Sequence, residues 1–335
     1  MPKLIKLLES TKDIDIAMEC VPMLCVHSVG LVKFFNWAIN QDQMTRLLLA
    51  IERDWKSLKL QRDIKLLSQF TDRGRKINSI YATAMYGILV VYLLSPGIPK
   101  ILDIILPLNQ SRPRVFLYQT EYFCDQNEYY VHILIHAYVT VPLSVTVLVY
   151  FDNLFAIFIN HTCGMCEVLK NYLEDIGADD ADILERIKMC ANLQTNIIEF
   201  ISDLESAYTI ALLVIVGLNM MVVTTTGMMA VIKVNEPSEV IRYTTFNSGT
   251  IFHLFWSSWQ GHNLIVQSET VFTSVYQNNW YRIPCKYQKM LLPLMMRSLT
   301  PCQITAGKLY VMSMNSFGGA MRMTLSFLTL LLSVR

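Results

Sequence analysis

The sequence predicts an all-α, polytopic membrane helix bundle, six spanning helices plus one short intracellular half-helix, forming a single domain over residues 1–335. Three observations carry this. Only 16% of the 335 residues are charged and 53% are hydrophobic, whereas a soluble domain carries about 25% charge. Four long windows hold no charge at all: 23 residues between Lys76 and Lys100, 23 between Glu128 and Asp152, 27 between Glu205 and Lys233, and 26 between Arg242 and Glu269. About 20 apolar residues cross a hydrocarbon core as a helix, so each window is long enough. Finally, the basic residues gather in alternate connecting segments.

The first span, about 14–39, is less clean than the four windows. Its uncharged stretch Cys20 to Val32 is bounded by Glu19 and Lys33; a lysine at such a flank snorkels toward water, and Trp37 suits an interfacial belt. Spans of about 77–99, 129–160, 206–232 and 243–268 come from the windows. The last, about 304–334, is interrupted by Arg322. An arginine at mid-helix costs about 2.5–3.5 kcal/mol on insertion scales, so it must face protein or water rather than lipid. Ahead of it, the stretch from Trp280 to Arg297 is basic at both ends and too short to cross. Pro284 stands where a helix start tolerates proline, and Pro293 would kink a helix running through it. The stretch reads as a half-helix near the inner interface.

Orientation comes from Lys and Arg. Segments 40–76, 162–205 and 269–302 hold sixteen of them, and the alternate loops hold five: Lys100, Arg112, Arg114, Lys233 and Arg242. The basic side is cytoplasmic, which puts the C-terminus outside; the membrane expected is the plasma membrane. The sequon Asn109-Gln110-Ser111 then falls outside. Met1 to Lys12 is too charged for a signal peptide.

Composition and motifs exclude several functions. A net charge of +1 leaves no basic footprint for nucleic acid. The chain has no phosphate loop, no His-Glu-x-x-His and no Gly-x-Ser-x-Gly, so neither enzyme activity nor a cofactor is expected. Cys163-Gly164-Met165-Cys166 is a single pair beside His161, short of a zinc framework. His132 and His136, one turn apart on one face, lack convergent carboxylates. The cluster Asp179-Asp180-Ala181-Asp182 lacks calcium-loop spacing. No metal is expected.

The chain is rich instead in Met (18), Tyr (16) and Phe (15), side chains that suit an apolar pocket accepting variable ligands. Tyr86 and Tyr92 on the second span, His136 on the third, and Phe246 and His253 on the fifth are the candidates to line it. Sequence alone does not separate pocket from core at these positions.

A family resemblance runs through the chain in order. It begins at Leu47-Leu48-Leu49-x-x-Glu52-x-Asp54-Trp55 and continues at Pro107-Leu108-Asn109-x-Ser111-Arg112-Pro113, Glu121-Tyr122-Phe123, Asp152 and His161-x-Cys163-Gly164-Met165. It is strongest at Tyr276-x-x-x-Trp280-Tyr281-x-Ile283-Pro284, Met296-Arg297-Ser298, Thr305-Ala306-Gly307 and Ser326-Phe327. With these the chain resembles insect odorant receptors of the hymenopteran type. The resemblance implies seven spans with the N-terminus inside and the C-terminus outside, and a helix before Asp15 that this chain lacks. It further implies an odorant-binding subunit of a ligand-gated cation channel, assembled as a heterotetramer with the olfactory co-receptor and opened by a small apolar odorant. Aligned with the co-receptor's last helix through Lys308, Ser313 and Phe317, the C-terminal span places Leu330 and Val334 at the hydrophobic constriction. Ser326 lends that stripe polarity and Arg322 sits below it facing water. A gustatory receptor channel would share the architecture, but its last-helix motif is not matched by Thr324 to Ser333. A G-protein-coupled receptor would carry Asn-Pro-x-x-Tyr in its last helix and end inside.

Overall fold

The structure, a computed structural model, describes residues 14–105, 115–118, 125, 128–176, 182–277 and 280–334, with the side chains of 14–17, 102 and 334 excepted. The sequon at Asn109, the acidic residues Asp179 and Asp180, and the motifs at 107–113 and 121–123 lie outside the described residues.

Nearly everything described is helix. In chain order the helices are α1 (Ile14–Ile39), α2 (Gln41–Ser57), α3 (Gln61–Leu94), α4 (Ile98–Ile105), α5 (Tyr130–Glu174), α6 (Ile183–Ile232), α7 (Pro237–Gln277), α8 (Cys285–Ser298) and α9 (Met314–Val334). Between α8 and α9 a hairpin pairs β1 (Thr305–Ala306) with β2 (Tyr310–Val311), antiparallel. α5 packs against α3 and α7, α6 against α1 and α7, and α9 against α6 and α7. Met18–Ile39, Gln61–Ile105, Tyr130–Glu174 and Ile183–Ile232 are long and apolar enough to cross a membrane. α7 is more polar, carrying Arg242, His253, Gln260 and His262. On α5, Val131, Ile135, Val139 and Leu143 recur every fourth residue, each more than half exposed. An apolar stripe facing outward at helical period is a lipid-facing surface, and the chain is a multi-pass membrane protein.

The helices outrun the bilayer. At 1.5 Å per residue the 50 residues of α6 extend about 75 Å, more than twice the roughly 30 Å hydrocarbon core. The surplus collects at one end. There the largest core joins Met44 and Leu47 of α2, Leu67 of α3, Leu169 and Leu173 of α5, Ile187, Phe200 and Leu204 of α6, and Leu291 and Leu294 of α8. Segments 40–76 and 162–205, expected as loops, are therefore largely helical. Their apolar residues recur at helical spacing and bury one another in water, where the hydrophobic effect operates in full. Tyr172 donates to the Asp63 carboxylate and Arg62 bonds Asp175 and Asn171, fastening α3 to the end of α5. Burial, with the Asp63 carboxylate beside it, pushes the Tyr172 phenol well above its ordinary range.

Two boundaries differ from expectation. The last span begins at Met314 rather than 304, because 305–311 turns back on itself. Gly307 (φ +61°) makes that turn against α6, donating its N–H to the Thr209 carbonyl at 2.9 Å. The half-helix runs Cys285–Ser298, with Pro284 at its N-cap and Pro293 inside it.

Candidate functional site

The bundle's other end is looser. Between α1, α3, α5, α6 and α7 lies a cavity of about 80 Å³, walled by Met23, Val26 and Val29 of α1, Met85, Ile88, Leu89 and Tyr92 of α3, and Val141, Val145 and Leu148 of α5. Phe246, Gly249, Thr250 and His253 of α7 complete the wall with Asn219 of α6. Its position is set by chain direction. The first halves of α1, α5 and α7 and the second half of α3 share the end opposite the basic segments. Gly249 opens the α7 wall, where a Cβ would press to 3.2 Å from Ile88.

Of the sequence-predicted lining, the cavity gathers Tyr92, Phe246 and His253. Tyr92 and Phe246 meet ring to ring at 5.4 Å, and the Tyr92 hydroxyl donates to the Leu117 carbonyl at 2.7 Å. Tyr86 and His136 are not among the lining residues. Tyr86 lies on the outer face of α3, 38% exposed, bonded to Thr146 at 3.2 Å. His136 is exposed on α5. Turn counting fixes their height in the bundle but not the direction they face.

Beneath the cavity is a polar cluster that sequence reasoning missed. Lys33 does not snorkel; it forms an ion pair with Asp152, the two side chains 9% and 5% exposed. Tyr81, fully buried, donates to the same carboxylate at 2.7 Å and stacks on Trp256 with centroids 4.3 Å apart. His253 Nε2 faces Asp152 obliquely at 3.3 Å, and its Nδ1 meets Asn219 Nδ2 at 3.0 Å. Lys33 and Asp152 are each the boundary of an apolar stretch in the sequence, the one signal available. A pairing 119 residues apart leaves no trace in spacing.

The cysteine pair lies in the core. Cys163 and Cys166 are buried, His161 is held by Asp54 at 3.0 Å, and among the described residues no group of three potential ligands converges. Burial raises the Cys166 thiol well above its ordinary range and Cys190 to about 12, which keeps both as inert thiols.

On α9, Arg322, Ser326 and Leu330 succeed one another at four-residue spacing and all are exposed, Leu330 at 56%. The side chain of Val334, next in the series, lies outside the described residues. The chain runs parallel to α6 from Gly307 beside Thr209 to Leu328 of α9 against Gly227, so the C-terminus of α9 shares the cavity's end of the bundle.

A multi-pass helix bundle with an apolar cavity among its spans is the architecture of a membrane receptor for small molecules. The chain belongs to the 7tm odorant receptor family, whose model matches residues 14–325. It is 29% identical to Drosophila melanogaster odorant receptor 33a over 96 residues and 26% identical to odorant receptor 13a over 208, matches spanning a quarter and a half of those proteins. Against Anopheles gambiae odorant receptor Or2 it is 22% identical over 309 residues, 88% of this chain and 78% of that one. In fold it is similar to the olfactory receptor OR5 of Machilis hrabei, solved in complex with eugenol. That likeness has a TM-score of 0.82 at 13% identity, over 100% of this chain and 85% of that one.

Proposed function

We propose that the chain is the odorant-binding subunit of a heteromeric ligand-gated cation channel, assembled as a heterotetramer with the olfactory co-receptor in the plasma membrane of olfactory neurons. A volatile or cuticular apolar ligand enters the cavity between α1, α3, α5, α6 and α7. Segments 40–76, 162–205 and 269–302 are cytoplasmic and the C-terminus extracellular. The observation that carries the reading is the cavity between these helices, lined almost wholly by apolar side chains, at the end away from the sixteen basic residues.

At about 80 Å³ the cavity is smaller than the roughly 150 Å³ void that accepts benzene in an engineered protein. A ligand must therefore push side chains aside. Met23 and Met85 are unbranched and adapt readily, and each 100 Å² of ligand surface buried contributes about 2.5 kcal/mol. If the widened bundle is the open one, occupancy shifts the population toward it. The α9 stripe supports the channel half of the proposal. An arginine left on a lipid face would incur about 2.5–3.5 kcal/mol, so Arg322 belongs against water or a neighbouring subunit. Leu330 and Val334 beyond it form the dewetting constriction. Co-expression tests this: odorant-evoked cation current with the co-receptor and none without it. A G-protein-dependent signal in its absence would refute the reading.

A further inference from the structure

We propose that the cavity selects apolar molecules bearing a hydroxyl group, and that the Asn219 side-chain amide is the group that reads it. The inference rests on the cavity being the ligand site and names the ligand's polar chemistry.

The polar lining is nearly all committed. The Tyr92 hydroxyl donates to the Leu117 carbonyl and the Thr250 hydroxyl to the Phe246 carbonyl at 3.1 Å. His253 is held from below. Lys33 already neutralises Asp152, so a second cation there would leave a buried net charge, which is strongly disfavoured; the imidazole is neutral. Its Nε2 faces the Asp152 carboxylate and carries the proton, because a lone pair there would meet a carboxylate oxygen. Nδ1 is then an acceptor. Of the two Asn219 atoms near it, Nδ2 at 3.0 Å donates, while Oδ1 at 3.3 Å opposes one lone pair with another.

The amide is thus pinned in one orientation. One N–H is spent on His253; the carbonyl oxygen and the second N–H remain, on a residue that lines the cavity and is 4% exposed. An acceptor and a donor side by side suit a hydroxyl, which both donates and accepts through one oxygen. An ether or a carbonyl only accepts, and a hydrocarbon does neither.

Hexanol and methyl pentyl ether are isomers that differ in whether their one oxygen donates, and heptane, with the same heavy-atom count, is the apolar control. Their equilibrium binding to the full chain in lipid nanodiscs, with the cavity-filling variant Val145→Trp subtracting partition into lipid, should rank hexanol above the ether. One net hydrogen bond predicts a preference of roughly fivefold over the ether. Asn219→Leu should erase the ranking while retaining heptane affinity. If that variant does not fold, the wild-type ranking decides. Equal affinities that Val145→Trp abolishes would overturn the hydroxyl inference and leave the cavity reading intact. No binding above the Val145→Trp background would overturn both.

Discussion

Removing the Asp152 carboxylate tests whether the polar cluster holds the middle of the bundle together. Asp152→Leu orphans two groups, the Lys33 ammonium and the Tyr81 hydroxyl at 2.7 Å, and removes the carboxylate that His253 Nε2 faces at 3.3 Å. Breaking a buried ion pair from one side costs about 3–5 kcal/mol. At roughly 2–4 °C per kcal/mol for a chain of this size, the melting temperature should fall by about 10 °C. Lys33→Met should cost less, since Tyr81 and His253 still stabilise the carboxylate. The double variant Lys33→Met/Asp152→Leu removes both charges and leaves mainly the Tyr81 hydroxyl unpaired, a cost of about 1–3 kcal/mol. It should therefore melt several degrees above Asp152→Leu alone. The assay is thermal unfolding of detergent-solubilised protein, read by size-exclusion fluorescence of a fused reporter. If the double variant melts at or below the Asp152→Leu single, the two charges are not coupled and the ion pair does not organise the span.

Four further outcomes are expected. Gly261→Ala would set a Cβ 2.2 Å from the Met312 carbonyl oxygen and should lower the melting temperature markedly, whereas Gly217→Ala, which meets nothing within 4 Å, should be neutral or stabilising; the same thermal assay compares them. With Cys124, which lies in a segment expected outside, replaced by Ser, the exposed Cys285 should react with a membrane-impermeant maleimide only after permeabilisation, and labelling of intact cells would reverse the topology. At equal surface expression, Phe246→Ala and His253→Ala should shift odorant potency, while His136→Ala, on an exposed face, should leave dose–response curves unchanged. Leu330→Ser should raise basal current or alter ion selectivity of the heteromer in voltage clamp, and currents like the parent's would remove α9 from the gate.

The spans were legible because insertion into hydrocarbon imposes a one-dimensional rule: a run of uncharged residues of fixed length. The four windows fall on α3 with the 3-10 turn Ser95–Gly97 and the start of α4, on α5 with its N-cap Tyr129, on α6 and on α7 for that reason. The helical continuations at 61–76, 161–174 and 183–205 obey a different rule. There water surrounds the chain, charge is permitted, and only the face buried against neighbours stays apolar, so low charge density no longer marks the helix. The pocket was half legible. Phe246 and His253 are seven residues apart and face the same way, and both turn inward. Tyr86 and Tyr92 are six apart, about 600° of helix rotation, so their side chains leave the helix about 120° apart. The cavity lies on the side that Tyr92 faces.

The two ends of the molecule differ because their solvents differ. At the basic end, water drives apolar side chains together, and Leu67, Val168, Cys190 and Leu204 are excluded from solvent completely. Within the bilayer, lipid tails are as apolar as leucine, so helices gain little from closing on one another, and a void among them carries a smaller penalty than it would in a soluble core. A cavity is therefore sustainable at the lipid end, provided something else fixes the helices around it. The Lys33–Asp152–Tyr81–His253 cluster does so from directly below, joining α1, α3, α5 and α7, and Arg242, paired with Glu239 on the same helix, ties α7 from above to the Phe116 carbonyl at 2.7 Å. Polar contacts brace both ends of the cavity while its walls stay apolar and adaptable. A ligand entering it works against methionine and valine side chains and leaves the ion pairs intact, which is why the walls, rather than the braces, are the place where ligand selectivity can change without loss of the fold.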